Sequence, residues 1–246
     1  MQQQFCAVVP THNHYEALGM IVGALRDHGL PVIIVDDGSS EPAREAIAKL
    51  HVPELDVEVI RLDRNLGKGA AVAAGLRRAR ERGSSHAVQV DADGQHDIAQ
   101  LAALLAASRA RSEAVVSGRA VYDASVPLAR RYGRWVTHIW VWVETLSFRI
   151  ADSMCGFRVY PLAATLAVLD SEPVGQGMDF DTGIMVRLFW RGVPVVQIPV
   201  GVVYPKGNTS NFRLLQDNWL VTRMHARLVI GMLGRLPSIL RNRPLP

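Results

Sequence analysis

The feature that most constrains this chain is a rhythm in its first 120 residues: short apolar runs alternate with longer stretches of helical composition. Phe5–Val9, Val32–Val35, Val57–Leu62, His86–Val90 and Ala114–Ser117 read as strands. Tyr15–His28, a stretch ending near Leu50, Gly67–Arg82 and Ile98–Arg109 read as helices between them. Strands separated by helices of about 10–15 residues imply βαβ crossovers. The expected fold class is therefore α/β, a Rossmann-like, mainly parallel sheet flanked by helices. With 246 residues, 49% of them hydrophobic and 20% charged, the chain can bury a core in one sizeable domain. After residue 120 the rhythm changes. Pro127–Phe148 reads as a long helix carrying Arg130, Arg131, Arg134, Trp135, Trp140 and Trp142, Gly177–Arg191 as another, Val193–Val203 as a strand and Asn211–Leu233 as a last helix.

In open α/β sheets ligands gather at the carboxyl ends of the strands. Acidic clusters stand at those ends here. Asp91-Ala92-Asp93-Gly94-Gln95-His96-Asp97 directly follows a strand. Its alternate carboxylates can face one cation, and Mg²⁺ or Mn²⁺ prefers oxygen ligands, to which Gln95 adds a neutral one. Asp36-Asp37-Gly38-Ser39 ends the second strand. A carboxylate there can accept hydrogen bonds from a base or a ribose hydroxyl, and Ser39 or Ser40 can cap the next helix. Arg64-Asn65-Leu66-Gly67-Lys68-Gly69 imitates a dinucleotide fingerprint, but Val72 stands where Gly or Ala is wanted. No GxxxxGK[ST] phosphate loop occurs either, which argues against a dehydrogenase or a P-loop NTPase. The small residues fit close helix packing, beside a nucleotide or against the sheet. Further on, Arg119 and Arg158 are candidates for bidentate pairing with phosphate, and Asp181 for a general base or a partner of an Arg or a sugar hydroxyl.

The net charge of +4 is local. From Lys206 onward seven basic side chains stand against one acid, Asp217, so this stretch carries +6 and the remainder −2. Aromatic residues are too sparse there for a nucleic-acid surface. On a helical wheel Arg213, Gln216, Arg223 and Arg227 share one sector, and Phe212, Leu215, Trp219, Ile230 and Leu233 another. That amphipathic pattern suits an anionic membrane surface, with Trp135–Trp142 dipping in beside it. The alternative is packing of both helices on the domain or on a second copy of the chain, as a homo-oligomer. No apolar run reaches the roughly 18 residues of a membrane span, and the first residues lack the pattern of a secretory signal. Cys6 and Cys155 stand outside any CxxC, which suits a reducing compartment.

Taken in order, these residues resemble family 2 glycosyltransferases of the GT-A fold, over about residues 5–212. Val9-Pro10-Thr11-His12-Asn13 is similar to the family's opening strand end, with His12 in place of the usual Tyr. Asp36-Asp37-Gly38-Ser39 resembles its nucleotide-binding DDGS, Asn65–Gly69 its NxGKG segment and Asp91-Ala92-Asp93 its metal-binding DxD. The nearer resemblance is to the dolichyl- and polyprenyl-phosphate sugar synthases, through Asp91–His96, Ser117–Arg119 and Asp152–Tyr160. The later segments depart more: Gly183 follows Asp181-Thr182 where an acid is usual, and Lys206–Asn211 only approximates the final basic pattern.

The resemblance implies an inverting, metal-dependent transfer of a sugar from a UDP- or GDP-type donor to a lipid acceptor, with polyprenyl phosphate first. It implies donor contacts from Pro10, Thr11, Asn13, Asp36, Asp37, Lys68, Asp91, Ala92 and Asp93. Mg²⁺ or Mn²⁺ would sit on Asp91, Asp93 and Gln95. Arg119, with one of Arg130, Arg131 and Arg134, would grip the acceptor phosphate, Arg131 and Arg158 being the further acceptor candidates. Asp93, Arg119 and Asp181 are the expected catalytic groups, Asp181 only if the acceptor is a hydroxyl that needs a base. The expected organisation is a catalytic domain over 1–210 and a basic amphipathic helix and tail over 211–246, peripheral on the cytoplasmic face of a membrane. Two other functions remain in view: the same chemistry on the hydroxyl of another lipid or a pigment-type acceptor, and a non-catalytic nucleotide-sugar-binding subunit. Retention of both Asp91 and Asp93 weighs against the last.

Overall fold

In the computed structural model, which describes residues 3–122, 128–202 and 213–241, the apolar runs become a seven-stranded sheet. The strands are β1 (Phe5–Thr11), β2 (Val32–Asp36), β3 (Val57–Arg61), β4 (His86–Gln89), β5 (Val115–Tyr122), β6 (Arg158–Pro161) and β7 (Val195–Val202). The helices are α1 (Leu18–Asp27), α2 (Ala43–Ala48), α3 (Lys68–Glu81), α4 (Leu101–Ala110), α5 (Leu128–Thr145), α6 (Leu162–Ser171), α7 (Phe180–Trp190) and α8 (Leu214–Arg241). The strands lie in the order β3-β2-β1-β4-β6-β5-β7. All neighbours are parallel except those of β6, which runs antiparallel to both β4 and β5.

Both faces of the sheet are covered, so its strands need apolar residues at successive positions rather than alternate ones. Along β1, Ala7 and Val9 join Leu18, Leu25 and Leu104 on one side. Cys6 and Val8 turn the other way, toward Ala71, Leu76 and Ile184. The small residues of α3 serve this packing: a Cβ on Gly75 would lie 2.3 Å from Val8 Cγ1. The chain winds outward from β1 to β3, then crosses back to β4 on the other side of β1. That reversal opens a crevice at the carboxyl ends of β1 and β4, where ligands bind in such sheets.

Three features depart from the sequence expectation. β6 and α6 were not anticipated, because Arg-Val-Tyr-Pro is short and places a cation and a proline inside a buried strand. Helix α5 stops at Thr145, with Leu146 at φ 51°, rather than continuing to Phe148. Helix α8 runs on past Leu233 and through Pro237 to Arg241, because Ile239 is buried with Met224, Leu228 and Met232 against the body. It packs on α5 and α7. His225 Nδ1 lies 2.6 Å from Glu144 Oε1, and Trp190 Nε1 donates to the Glu144 carbonyl. Among the described residues no helix is long and apolar enough to cross a membrane.

Candidate active site

The loops after β1, β2 and β4 meet at the crevice and are knitted by their own polar groups. β1 holds Pro10 opposite Val35, and Thr11 opposite Asp36, at the ends of two adjacent strands. Thr11 Oγ1 donates to the His14 carbonyl at 2.5 Å. Asn13, in the left-handed region at φ 60°, takes its N–H to Ser39 Oγ and accepts from the Ser40 N–H, both at 2.9 Å. Asp36 is buried, accepts from the Ser39 N–H at 2.9 Å and is ion-paired with Arg61 at the end of β3. Asp37 accepts from the backbone N–H groups of Leu66 and Gly67 at 2.7 and 2.8 Å. It therefore fixes the turn that opens α3. Gly67 has φ 100°, and a Cβ there would lie 2.5 Å from the Gln176 carbonyl oxygen. This turn thus packs on the segment preceding α7.

That packing delivers Lys68, the first residue of α3, to the centre of the site. Its Nζ lies 2.9 Å from Asp91 Oδ2 and 2.8 Å from Asp181 Oδ2. Burial would lower the Lys68 pKa, but Asp181 and Asp91 outweigh it and hold the ammonium charged. Burial would raise Asp91, and Lys68 and His96 outweigh it, keeping this carboxyl well below the usual range. Gly156 lets it sit there, since a Cβ would come within 2.5 Å of Asp91 Oδ2.

Asp93 is in the opposite situation. Burial first, and then the charge of Asp91, push its pKa up. Its Oδ1 accepts from the Gln95 N–H at 3.1 Å across a turn in which Gly94 has φ 69°. Asp91, Asp93, Gln95 and His96 line one cavity with Arg134 and Met154. An acid whose ionised form is disfavoured, beside a second acid and a neutral oxygen donor, fits a divalent cation shared with phosphate oxygens. Among the described residues no three His, Cys, Asp or Glu side chains gather as a self-sufficient metal site. Asp93 and Gln95 would hold the ion, with Asp91 next to them.

The expected acceptor residues separate. Arg119, on β5, is exposed. The side chains of Arg130 and Arg131 on α5, and Lys206 and Phe212, lie outside the described residues. Arg158 does not fit an acceptor role. Its side chain is fully buried and donates to the carbonyls of Asp181, Ser153 and Cys155, to Tyr160 Oη and to Ser117 Oγ. It is a hub beneath the site rather than a group facing the cleft. Arg134 reaches the cavity while bridging both oxygens of Asp152 at 2.6 and 2.7 Å. Burial would raise Asp152, and Arg134 together with the N–H groups of Ala120 and Met154 lowers it instead. Asp181 is buried, with Lys68 on one oxygen and Gln89 Nε2 at 3.1 Å from the other. Ala92, between the two acids, is buried as well.

Sequence reasoning passed over Gln89, Arg61, Tyr160 and Gly156. For Gln89 a signal existed: it is the one amide inside an otherwise apolar strand end, and it is fully buried.

A mostly parallel sheet with this strand order, flanked by helices, is an α/β fold of the GT-A kind. The chain belongs to the glycosyl transferase family 2, whose model matches residues 6–174, and it is a glycosyltransferase. It is 30% identical over 203 residues to the undecaprenyl-phosphate mannosyltransferase of Micrococcus luteus, covering 80% of this chain and 82% of that one. It is 28% identical over 213 residues to the polyprenol monophosphomannose synthase of Mycolicibacterium smegmatis, covering 80% and 77%. Among solved structures it resembles glucosyl-3-phosphoglycerate synthase from Mycobacterium tuberculosis in complex with Mn²⁺, UDP-glucose and phosphoglyceric acid. The TM-score there is 0.66 at 14% identity, covering 94% of this chain and 80% of that one.

Proposed function

We propose that this chain transfers a hexose, with inversion, from a UDP- or GDP-type sugar to the phosphate of a polyprenyl phosphate. The observation that carries the reading is geometric: Asp91, Asp93 and Gln95 line one cavity at the switch point of the sheet. The relatives named as polyprenyl-phosphate mannosyltransferases support the acceptor class. Bound Mn²⁺ or Mg²⁺ would neutralise the charge that builds on the leaving nucleoside diphosphate.

The chain's own residues do the rest. Pro10, Thr11, Asn13, Asp36 and Asp37 wall the nucleotide side of the crevice, and the hydrogen bonds among their loops hold that wall before the donor arrives. Asp93 and Gln95 present oxygen atoms to the cation. Arg134, within the same cavity, would meet an anionic acceptor, with Arg119, exposed on β5 next to the cavity-lining Ala120, as a second cation. A phosphate acceptor is already anionic near neutral pH, so it needs orientation and desolvation more than a base. The commitment of Asp181 to Lys68 and Gln89 favours this branch over a hydroxyl acceptor, for which Asp181 was the candidate base. Helix α5 exposes Trp135 and Ile139, and α8 exposes Trp219 and Ile230 next to Arg223 and Arg227 along the helix, which suits an anionic lipid surface bearing the acceptor.

The test is release of free nucleotide from a panel of UDP- and GDP-sugars, with and without polyprenyl phosphate. Release that requires the lipid, stops with chelator and returns with Mn²⁺ or Mg²⁺ is expected. Asp93→Asn should lower it by about a hundred- to a thousandfold, the scale for one electrostatic stabiliser of a transition state. Release indifferent to polyprenyl phosphate, or an unimpaired Asp93→Asn, would overturn the reading.

A further inference from the structure

Beneath the cavity lies a closed ring of polar groups that the proposed reaction does not itself require. Asp91 follows β4 and Asp181 lies in the first turn of α7, yet their carboxylates are bridged twice. Lys68 Nζ spans the two Oδ2 atoms at 2.9 and 2.8 Å. Gln89 Nε2 spans the two Oδ1 atoms, at 3.4 Å from Asp91 and 3.1 Å from Asp181. Two like charges brought together in a half-buried site repel strongly unless donors lie between them. One cation and one neutral amide supply those donors and leave the pair with a single net negative charge.

The amide cannot turn over. Arg158 only donates, and its Nη1 lies 3.3 Å from Tyr160 Oη, so that hydroxyl accepts from Arg158 and donates onward. Its acceptor is Gln89 Oε1 at 3.1 Å. With the amide oxygen held on that side, the two N–H groups of Gln89 must face the acids. Gln89, Tyr160 and Arg158 are fully buried, so no water competes for these atoms.

We propose that Gln89 is a positioning residue of the donor site, oriented by Tyr160, which with Lys68 clamps Asp181 to Asp91 and so presents the first acid of the Asp91-Ala92-Asp93 pair in one fixed place. The inference rests on the proposed use of that pair to bind a metal–nucleotide donor. Asp181 is then a buttress shared by α7 and the β4 loop. Because Asp91 would hold the donor in both the ground state and the transition state, losing the clamp weakens binding more than turnover.

Calorimetry with MnCl₂ plus GDP or UDP, whichever the wild-type chain takes up, tests this separately from the reaction. Gln89→Leu should weaken uptake about tenfold and raise the donor KM alike, with kcat within about threefold. Gln89→Glu, which has the same shape but places a third carboxylate in the ring, should weaken uptake more. Tyr160→Phe touches neither acid and should give a smaller loss of the same kind. The double variant Gln89→Leu/Tyr160→Phe should be no worse than Gln89→Leu alone, since Tyr160 acts through Gln89. A general loss of stability would make the two changes add. If Gln89→Leu does not fold, Tyr160→Phe with unchanged uptake still overturns the inference, as does a folded Gln89→Leu within twofold of wild type or an additive double variant. A wild-type chain that takes up neither nucleotide with manganese defeats the proposed function instead.

Discussion

At the carboxyl ends of the central strands, charged and amide side chains lie buried or half-buried: Asp36, Asp37, Lys68, Gln89, Asp91 and Asp181. Each meets its partner within the protein. On the outer face of α5 and α8 the opposite holds. Leu215, Trp219, Ile230 and Leu233 stand in solvent, at 62–91% exposure, beside a buried stripe of Met224, Leu228 and Met232. Buried polar groups and exposed apolar clusters are the two informative exceptions to ordinary burial. The first costs stability unless every group is satisfied, so it marks a place where geometry must be fixed. The second costs little in the folded chain and marks a place that meets something outside it.

The largest effect expected on this contrast comes from the floor. Arg158→Leu removes a cation that reaches three carbonyls at once, and strands them away from water. Losing one partner of such a buried charged network costs about 3–5 kcal/mol. Urea denaturation should therefore show a large fall in midpoint with little change in slope. A loss below about 1 kcal/mol, the scale of an ordinary surface change, would mean that the floor is not the rigid half of the molecule.

A smaller effect belongs to the joint between the two regions, where Asp152 holds Arg134 of α5 against the loop that follows α5. Asp152→Ala should cost about 2 kcal/mol at neutral pH, since it leaves a cation and backbone N–H groups without their acceptor. The sign with pH follows from the lowered pKa of Asp152. Its contribution is fully present above the unfolded value and is lost as pH falls through the folded one, so the gap between wild type and variant should begin to close below about pH 4 and go on closing as the pH falls further. A gap that stays constant down to pH 2 would show that the carboxylate charge is not what joins α5 to the sheet.

Much of this arrangement was legible in the sequence, for a physical reason. Strands buried on both faces appear as apolar runs, and acids at their ends locate the crevice, so β1 to β4 and the pair Asp91 and Asp93 could be read directly. What stayed hidden depends on partners distant in the chain. Arg158 reads as a phosphate ligand because arginine is seldom fully buried, and nothing local announces the carbonyls that surround it. The same cation conceals β6. Lys68, Asp91 and Asp181 read as separate motif letters and Gln89 as one more strand residue, and only the winding of the sheet brings them into one ring. The last helix reads as ending at Leu233, but the buried Ile239 beyond it keeps α8 going through Pro237.

The smallest effect on folding, and the sharpest separation of the two regions, is expected from Trp135→Ser combined with Trp219→Ser. Both rings are mostly exposed, at 56% and 65%, so their removal should change stability by no more than about 0.5 kcal/mol each. Trp135 does meet the edge of Trp142 at 6.0 Å, but Trp142 also donates its Nε1–H to the Ile150 carbonyl and keeps its place without that contact. Transfer to lipid is another matter, because an aromatic side chain buried in an interface contributes through the apolar area that it removes from water. Flotation on vesicles containing anionic lipid should fall about tenfold for the pair, the equivalent of roughly 1.4 kcal/mol, while uptake of nucleotide with manganese stays at the wild-type level. Equal flotation of variant and wild type would detach the apolar face from the membrane. A matching loss of nucleotide uptake would show instead that α5 and the crevice are one mechanical unit, joined through Arg134 and Asp152.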